Sequence, residues 1–306
     1  MSYKHKLGLF GPPGVGKSLL GLSYREAIGG VLQMVFGSSE DATSNSFADK
    51  SGILTPYKPD WYDYLTADEK TALLKEPEVG KELAHEASLG IIKEKANARL
   101  VVKFRRYLAH LKQKMLAGDK DVPGAIFLDN GTPFGDLFGD YVMQVFASEF
   151  ETKGGNFDSI KFSIKYGKEL MEFYRELYSL PCHVIVSFHV SMTVDEQTAS
   201  KVDFMNDSKS GIKHQKEWQP LIVGQAKYRI AGIPDYAFFM SVEENHGQKP
   251  KYVAKMIADD KSVGVGKSRS NPFEGMKEHA EGGKIIVPKG SFYKFFDELI
   301  NKQGGK

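Results

Sequence analysis

Gly11-Pro12-Pro13-Gly14-Val15-Gly16-Lys17-Ser18 fits the pattern G-x-x-x-x-G-K-[ST] at every fixed position, and it lies between two legible elements. Before it, Lys6 to Phe10 reads as a short apolar strand. After it, Leu19, Leu20, Leu22, Tyr24 and Ala27 fit a helix expected to start at Lys17 and stop near Gly29-Gly30. Each fixed residue has a chemical reason. Gly11, Gly14 and Gly16 free the backbone so that successive N–H groups can point into one concavity, where a polyphosphate would sit. Lys17 brings a point charge to β- and γ-phosphates, and the Ser18 hydroxyl is the expected Mg²⁺ ligand. Pro12, Pro13, Val15 and Leu19 complete the loop around the phosphates. A chance glycine-rich turn would not be framed by a strand and a helix in this order.

Working outward, Val31 to Phe36 is an apolar run of strand type that leads to Glu40 and Asp41. Those carboxylates follow a strand's C-terminal end, the edge where open α/β sheets bind ligands, so either could face the nucleotide. Ala125 to Asp129 is a second apolar strand, and its terminal carboxylate could hold Mg²⁺ through water while Ser18 binds it directly. His183 to Ser191 reads as another buried strand with His189 where it should emerge beside the phosphates. Read alone, His189 suits a γ-phosphate sensor or a structural histidine.

Between these strands the reading is uneven. Residues 42–79 carry three X-Pro pairs and several aromatics and are expected to form loop and short helices. From Gly80 to Leu116 apolar residues recur at helical spacing, predicting one long or two abutting helices. Further helices are expected around Phe138 to Phe146, over Tyr166 to Leu180 and over Ile222 to Ile230. Asp195 to Trp218 reads as a long polar loop, with Phe204 and Trp218 as aromatics that could stack on bases, although burial suits Trp218 equally. Tyr236 to Val242 and Tyr252 to Ile257 predict a hairpin through Asn245 to Pro250. Gly264 to Ser268 resembles a second phosphate loop, but Lys261 stands where the first glycine is required. That segment is expected to be a strand-exit loop projecting Lys267 and Arg269.

With 306 residues, 41% of them hydrophobic, the chain can build a substantial core. Its one cysteine, Cys182, excludes an internal disulfide and a Cys-based zinc site, and its apolar neighbours favour a buried thiol over a nucleophile. No apolar run is long enough to span a membrane, so a soluble cytoplasmic protein is expected. The net charge of +2 decides nothing about nucleic acid, but Lys93 to Lys120 holds nine cations against Glu94 and Asp119, a local charge of +7. That block reads either as a solvated helix face or as a surface for an anionic polymer.

The order of phosphate loop, strand ending near Glu40, strand ending in Asp129, strand ending in His189, polar loop, late hairpin and Lys267-x-Arg269 resembles the RecA-like P-loop NTPase core. More narrowly, it is similar to phage-encoded nucleotide-binding ATPases, some of which act in single-strand annealing and recombination. The resemblance covers roughly residues 4–50 and 122–290. It implies an α/β fold with a mainly parallel sheet, a RecA-like domain over 1–290 with a helical insertion at 50–118, and a C-terminal helix with a frayed tail over 291–306. It implies ATP and Mg²⁺ as ligands, Glu40 activating water, Asp129 at the metal and His189 sensing the γ-phosphate. Lys267 and Arg269 would reach a neighbouring subunit's ATP in a ring or filament. Asn130 and Gly131 depart from the family pattern, where a hydroxyl residue is common after the carboxylate. The implied activity is slow ATP hydrolysis that rises on assembly with single-stranded DNA, alongside a phage recombination or replication protein. The alternative is a nucleotide-dependent loader or scaffold docking a replication or packaging protein through residues 50–118. A small-molecule kinase ranks third, because the 195–218 loop has no arginine for a lid.

Overall fold

The computed structural model describes residues 3–36, 51–77, 80–152, 154–194, 216–222, 226–243, 250–255, 267–268, 280–281, 284–287 and 291–303. Five strands form its parallel centre: β1 (Lys6–Phe10), β2 (Val31–Val35), β3 (Ala125–Asp129), β4 (His183–Phe188) and β7 (Tyr236–Glu243). Four of them are buried along nearly their whole length and β7 over its first five residues, which explains their unbroken apolar runs: a parallel strand covered on both faces has no solvent side to alternate with. Three more strands, β8 (Lys251–Lys255), β10 (Ala280–Glu281) and β11 (Lys284–Ile286), extend the sheet antiparallel, giving the order β10-β11-β8-β7-β1-β4-β3-β2. A two-residue strand, β9 (Lys267–Ser268), pairs with the start of β7. At the other edge, backbone bonds from residues 52–57 cover β2, among them Tyr57 N–H to Gln33 O at 2.8 Å, so β2 presents no bare ladder.

Helices cover both faces. On one side lie α3 (Glu82–Leu116), α4 (Gly131–Val145) and α5 (Ser159–Tyr178), packed through Phe104, Phe134, Phe138 and Phe173 onto Phe10 and Phe188 of the sheet. On the other lie α1 (Lys17–Leu22) and α7 (Phe292–Gln303), with Tyr24, Phe292 and Phe296 against Leu7, Leu9 and Phe238. The result is a three-layer α/β sandwich. α3 is one helix of 35 residues, about 52 Å long, and its inward positions are buried from Ala96 onward while Leu83 remains 83% exposed. From Ala98 to Leu111 it shares a core with the central strands, so it is a layer of the fold rather than an appendage. Before it, α2 (Ala67–Leu73) starts at a capping box in which Thr66 and Glu69 satisfy each other's backbone N–H.

Several expected elements differ. The first helix stops at Leu22 and tightens into a 3₁₀ turn over Ser23–Glu26, where Ser23 Oγ donates to Leu20 O at 2.7 Å. α5 begins at Ser159, earlier than its apolar stripe indicated, because Asp158 caps it by accepting from the N–H groups of Ile160 and Lys161. The run from His183 to Ser191 is two strands: β4 ends at Phe188, and β5 (Val190–Val194) leaves the sheet to pair with β6 (Lys216–Pro220). The end of the expected polar loop is therefore strand, with Trp218 opposite Met192; residues 195–215, including Phe204, lie outside the described residues. Of the helix expected over Ile222 to Ile230 the described residues carry α6 (Ala226–Arg229) and a 3₁₀ turn, while residues 223–225 lie outside them. β7 and β8 pair as the hairpin required, while its turn at 244–249 lies outside the described residues.

His5 and His183 are buried side by side beneath α7, with ring centroids 4.6 Å apart. Burial pushes both imidazoles down to about 3, with the cation of Lys4 adding to the effect on each. His183 Nδ1 accepts the His5 backbone N–H at 3.0 Å, so a proton there would strip a buried donor of its acceptor. His5 Nε2 lies 3.3 Å from Asp297, an attraction that burial outweighs. The folded state refuses protons that the unfolded chain takes up near pH 6.5, so stability is full above that pH and falls as pH drops toward 3. At pH 5 the two histidines together should cost on the order of 4 kcal/mol. Urea denaturation at pH 7 and pH 5 reads this directly; equal midpoints would contradict it.

Candidate nucleotide site

β4 lies between β1 and β3, and the backbone N–H of Gly11 donates to Phe188 O at 3.2 Å. The phosphate loop, the end of β4 and Asp129 are thereby assembled on one edge. Gly14 and Gly16 hold φ of 79° and 84°, a region costly for any residue with a Cβ. Gly11 is restricted by space: a Cβ there would lie 2.6 Å from Met240 O of β7.

Lys17 is 6% exposed, and its Nζ donates to Gly11 O and Pro12 O, each at 2.7 Å. Burial pulls the ammonium down to about 8, and the carboxylate of Asp129 works against that fall. Asp129 is the hub. Its Oδ2 accepts from Ser18 Oγ at 2.9 Å and from Gln33 Nε2 at 3.0 Å, and its Oδ1 accepts from Ser187 Oγ at 2.8 Å. The Asp129–Asn130 peptide is cis, and Asn130 caps α4 through its side chain, accepting from Thr132 N–H at 2.7 Å. Thr132 Oγ1 in turn accepts from the backbone N–H of His189 at 3.0 Å, so a hydroxyl does stand beside the carboxylate strand, two residues later than expected. The pKa of the His189 imidazole is lowered by burial first and by the Lys17 cation second, with Asp129 opposing, and its buried Nδ1 has no hydrogen-bond partner among the described residues.

A hydroxyl and a carboxylate already 2.9 Å apart form the hard oxygen pair that Mg²⁺ prefers, to be completed by water and phosphate oxygens. The candidate set from Gly11 to Leu19, with Asp129 and His189, thus lies together. Glu40, Asp41 and Arg269 fall outside the described residues. Lys267 is in β9 rather than a projecting loop. It pairs with Ala237, whose other neighbour is Gly8, and so lies toward the start of the parallel strands, away from this chain's own phosphate loop.

The family model for an AAA domain matches residues 3–270, from before β1 to beyond β9. The chain belongs to the AAA domain family. No curated protein matches it. As an AAA domain it is a P-loop ATPase of the nucleotide-binding kind, a family that typically binds nucleotide with Mg²⁺. Among the described residues no helix of the AAA domain is long and apolar enough to cross a membrane. Cys182 is 3% exposed and burial raises its thiol to about 11, leaving no reactive thiolate near neutral pH.

The basic block on α3 is less free than its sequence implied. Arg99 bonds Glu69 and Tyr64 O, Arg105 bonds Glu176 at 3.0 Å, Lys112 bonds Ser179 Oγ at 3.0 Å, and Lys114 lies 3.5 Å from Asp119. Lys93 and Lys103 lie over the rings of Trp61 and Tyr64. Lys95, Arg106 and Lys120 have no such partner among the described residues. Sequence reasoning missed Gln33 and Ser187, although each had a signal: a polar residue inside an otherwise apolar buried strand.

Proposed function

We propose that this AAA domain is an Mg²⁺-dependent ATPase with a RecA-like core that acts on single-stranded DNA in phage recombination or replication. The observation that carries the reading is the Lys17 ammonium and the Ser18–Asp129 pair meeting at one sheet edge, beside the β4 strand that separates their parent strands. The antiparallel β7–β8 hairpin that extends the parallel sheet supports the RecA-like assignment. When bound, Mg²⁺ offsets charge on the β- and γ-phosphates. The chain's own residues do the rest: Lys17 leaves the loop carbonyls for phosphate oxygens, Ser18 and Asp129 hold the metal side, and neutral His189 faces the terminal phosphate. Glu40 orients the attacking water. Lys267 or Arg269 from a neighbouring copy completes the site in a ring or filament, so the isolated chain hydrolyses slowly.

The β5–β6 ribbon begins two residues after β4 ends, which supports a route from phosphate state to a DNA-binding element. Lys95, Arg106 and Lys120 supply cations for the backbone. The pairing of the other α3 cations within the protein favours the second reading, a loader or scaffold that docks a protein partner. ATP hydrolysis with and without single-stranded DNA separates them. Stimulation of about tenfold or more, weakening from 50 to 200 mM salt and absent in Lys17→Met, supports the DNA reading. Lys17-dependent hydrolysis indifferent to DNA supports the loader.

A further inference from the structure

Tyr252 stands where a ligand's far end would emerge. A Cβ built on Gly16 would lie 3.1 Å from Tyr252 Cδ1 and 3.3 Å from Cε1, so the phenol ring rests against the last glycine of the phosphate loop. The ring is held by its backbone: Tyr252 is opposite Val242 of β7, and Tyr252 O accepts Val287 N–H at 2.9 Å on the other side. Yet the residue is 38% exposed, as is Leu19 at the start of α1, and its hydroxyl has no hydrogen-bond partner among the described residues.

Sheet order gives this exposure a direction. β8 lies two strands from β1 on one side and β3 lies two strands from it on the other. Strands are about 4.8 Å apart, so β8 and β3 run about 10 Å to either side of β1, and from there Tyr252 and Asp129 reach the phosphate loop from opposite flanks. Ser18 and Asp129 mark the end where a metal and the terminal phosphates belong. A linear polyphosphate anchored there and threaded through the loop leaves on the β8 flank. Its next groups are a sugar and a base, and the exposed groups at the loop are the Tyr252 ring against Gly16 and the Leu19 side chain three residues on. We infer that Tyr252 is a nucleobase-stacking platform of the site, with the exposed Leu19 side chain adding apolar surface. This rests on the ATPase reading. An aromatic ring stacks on any base, so the platform contributes affinity for nucleosides in general rather than a preference for one base.

The test compares binding of Mg-ATP with binding of Mg-tripolyphosphate, which shares the anion and lacks the nucleoside. Tyr252→Ala and Tyr252→Leu should each weaken Mg-ATP by about 5- to 100-fold and leave tripolyphosphate within about twofold, while Tyr252→Phe should match wild type for both. Leucine fills the space against Gly16 without offering a π-face, so its loss cannot be assigned to a collapsed loop. Unchanged ATP affinity in Tyr252→Ala, or an equal loss of both ligands, overturns the platform. Absence of Lys17-dependent binding of either ligand to the wild-type protein overturns the ATPase reading beneath it.

Discussion

Lys17→Met should abolish tight Mg-ATP binding, by a factor of about 100 or more, and at the same time raise the melting temperature of the ligand-free protein. The first effect follows from removing charge-assisted hydrogen bonds to phosphate, each worth about 1.5–3 kcal/mol. The second follows from the cost of the resting state. An ammonium pulled from 10.5 to about 8 by burial reports roughly 3 kcal/mol of unfavourable burial at neutral pH. Methionine removes that cost but leaves Gly11 O and Pro12 O without their donor, returning about 1–2 kcal/mol of it. The net gain of about 1–2 kcal/mol corresponds to a few degrees in a chain of this size. The sign depends on pH. The unfolded lysine stays protonated up to 10.5 while the folded one loses its proton near 8, so the advantage of methionine is full below pH 8 and shrinks as pH rises toward 10.5. Calorimetry at pH 7 and pH 9.5 checks both; a variant that melts lower than wild type would show that the ammonium is a net stabiliser.

Asp129→Asn should reduce hydrolysis by on the order of 10³-fold and erase the Mg²⁺ dependence of ATP binding, with a much smaller effect on folding. The amide is isosteric with the carboxylate. Its oxygen can still accept from one side, and the Ser18 or Ser187 hydroxyl facing its NH₂ can rotate to accept instead of donating. Asp129→Ala is the contrasting case. It leaves Ser18, Ser187 and Gln33 donating to nothing in a site that is 5% exposed, and should cost about 3 kcal/mol or more of stability. Hydrolysis rates over an Mg²⁺ titration, with denaturation curves for both variants, separate metal loss from collapse. An asparagine variant that keeps its Mg²⁺ response would place the metal elsewhere.

The phosphate loop and Asp129 were legible because their chemistry constrains sequence locally: glycines at fixed offsets, and a carboxylate ending an apolar run. The long helix was legible because its apolar positions repeat over many turns. What escaped was non-local. The run from His183 to Ser191 does not show by itself that the chain changes sheets at His189: the alternation of Val190, Ser191, Met192, Thr193 and Val194 marks a strand with two unlike faces, but the partner strand that fixes its place begins only at Lys216. The partners of the basic block are distant in sequence: Glu69 is 30 residues from Arg99, and Glu176 is 71 from Arg105. The contact of Tyr252 with Gly16 depends on strand order, which no single segment encodes.

The resting site is closed on itself. Lys17 is satisfied by the loop's carbonyls, and Ser18 by the same Asp129 that Gln33 and Ser187 already hold. A small anion would exchange one set of partners for another with little gain. A triphosphate brings more charge and more acceptor oxygens, so its gains add while the bonds broken are the same two sets. The closed geometry therefore sets a threshold of interaction energy, favouring a chain of phosphates over a single one.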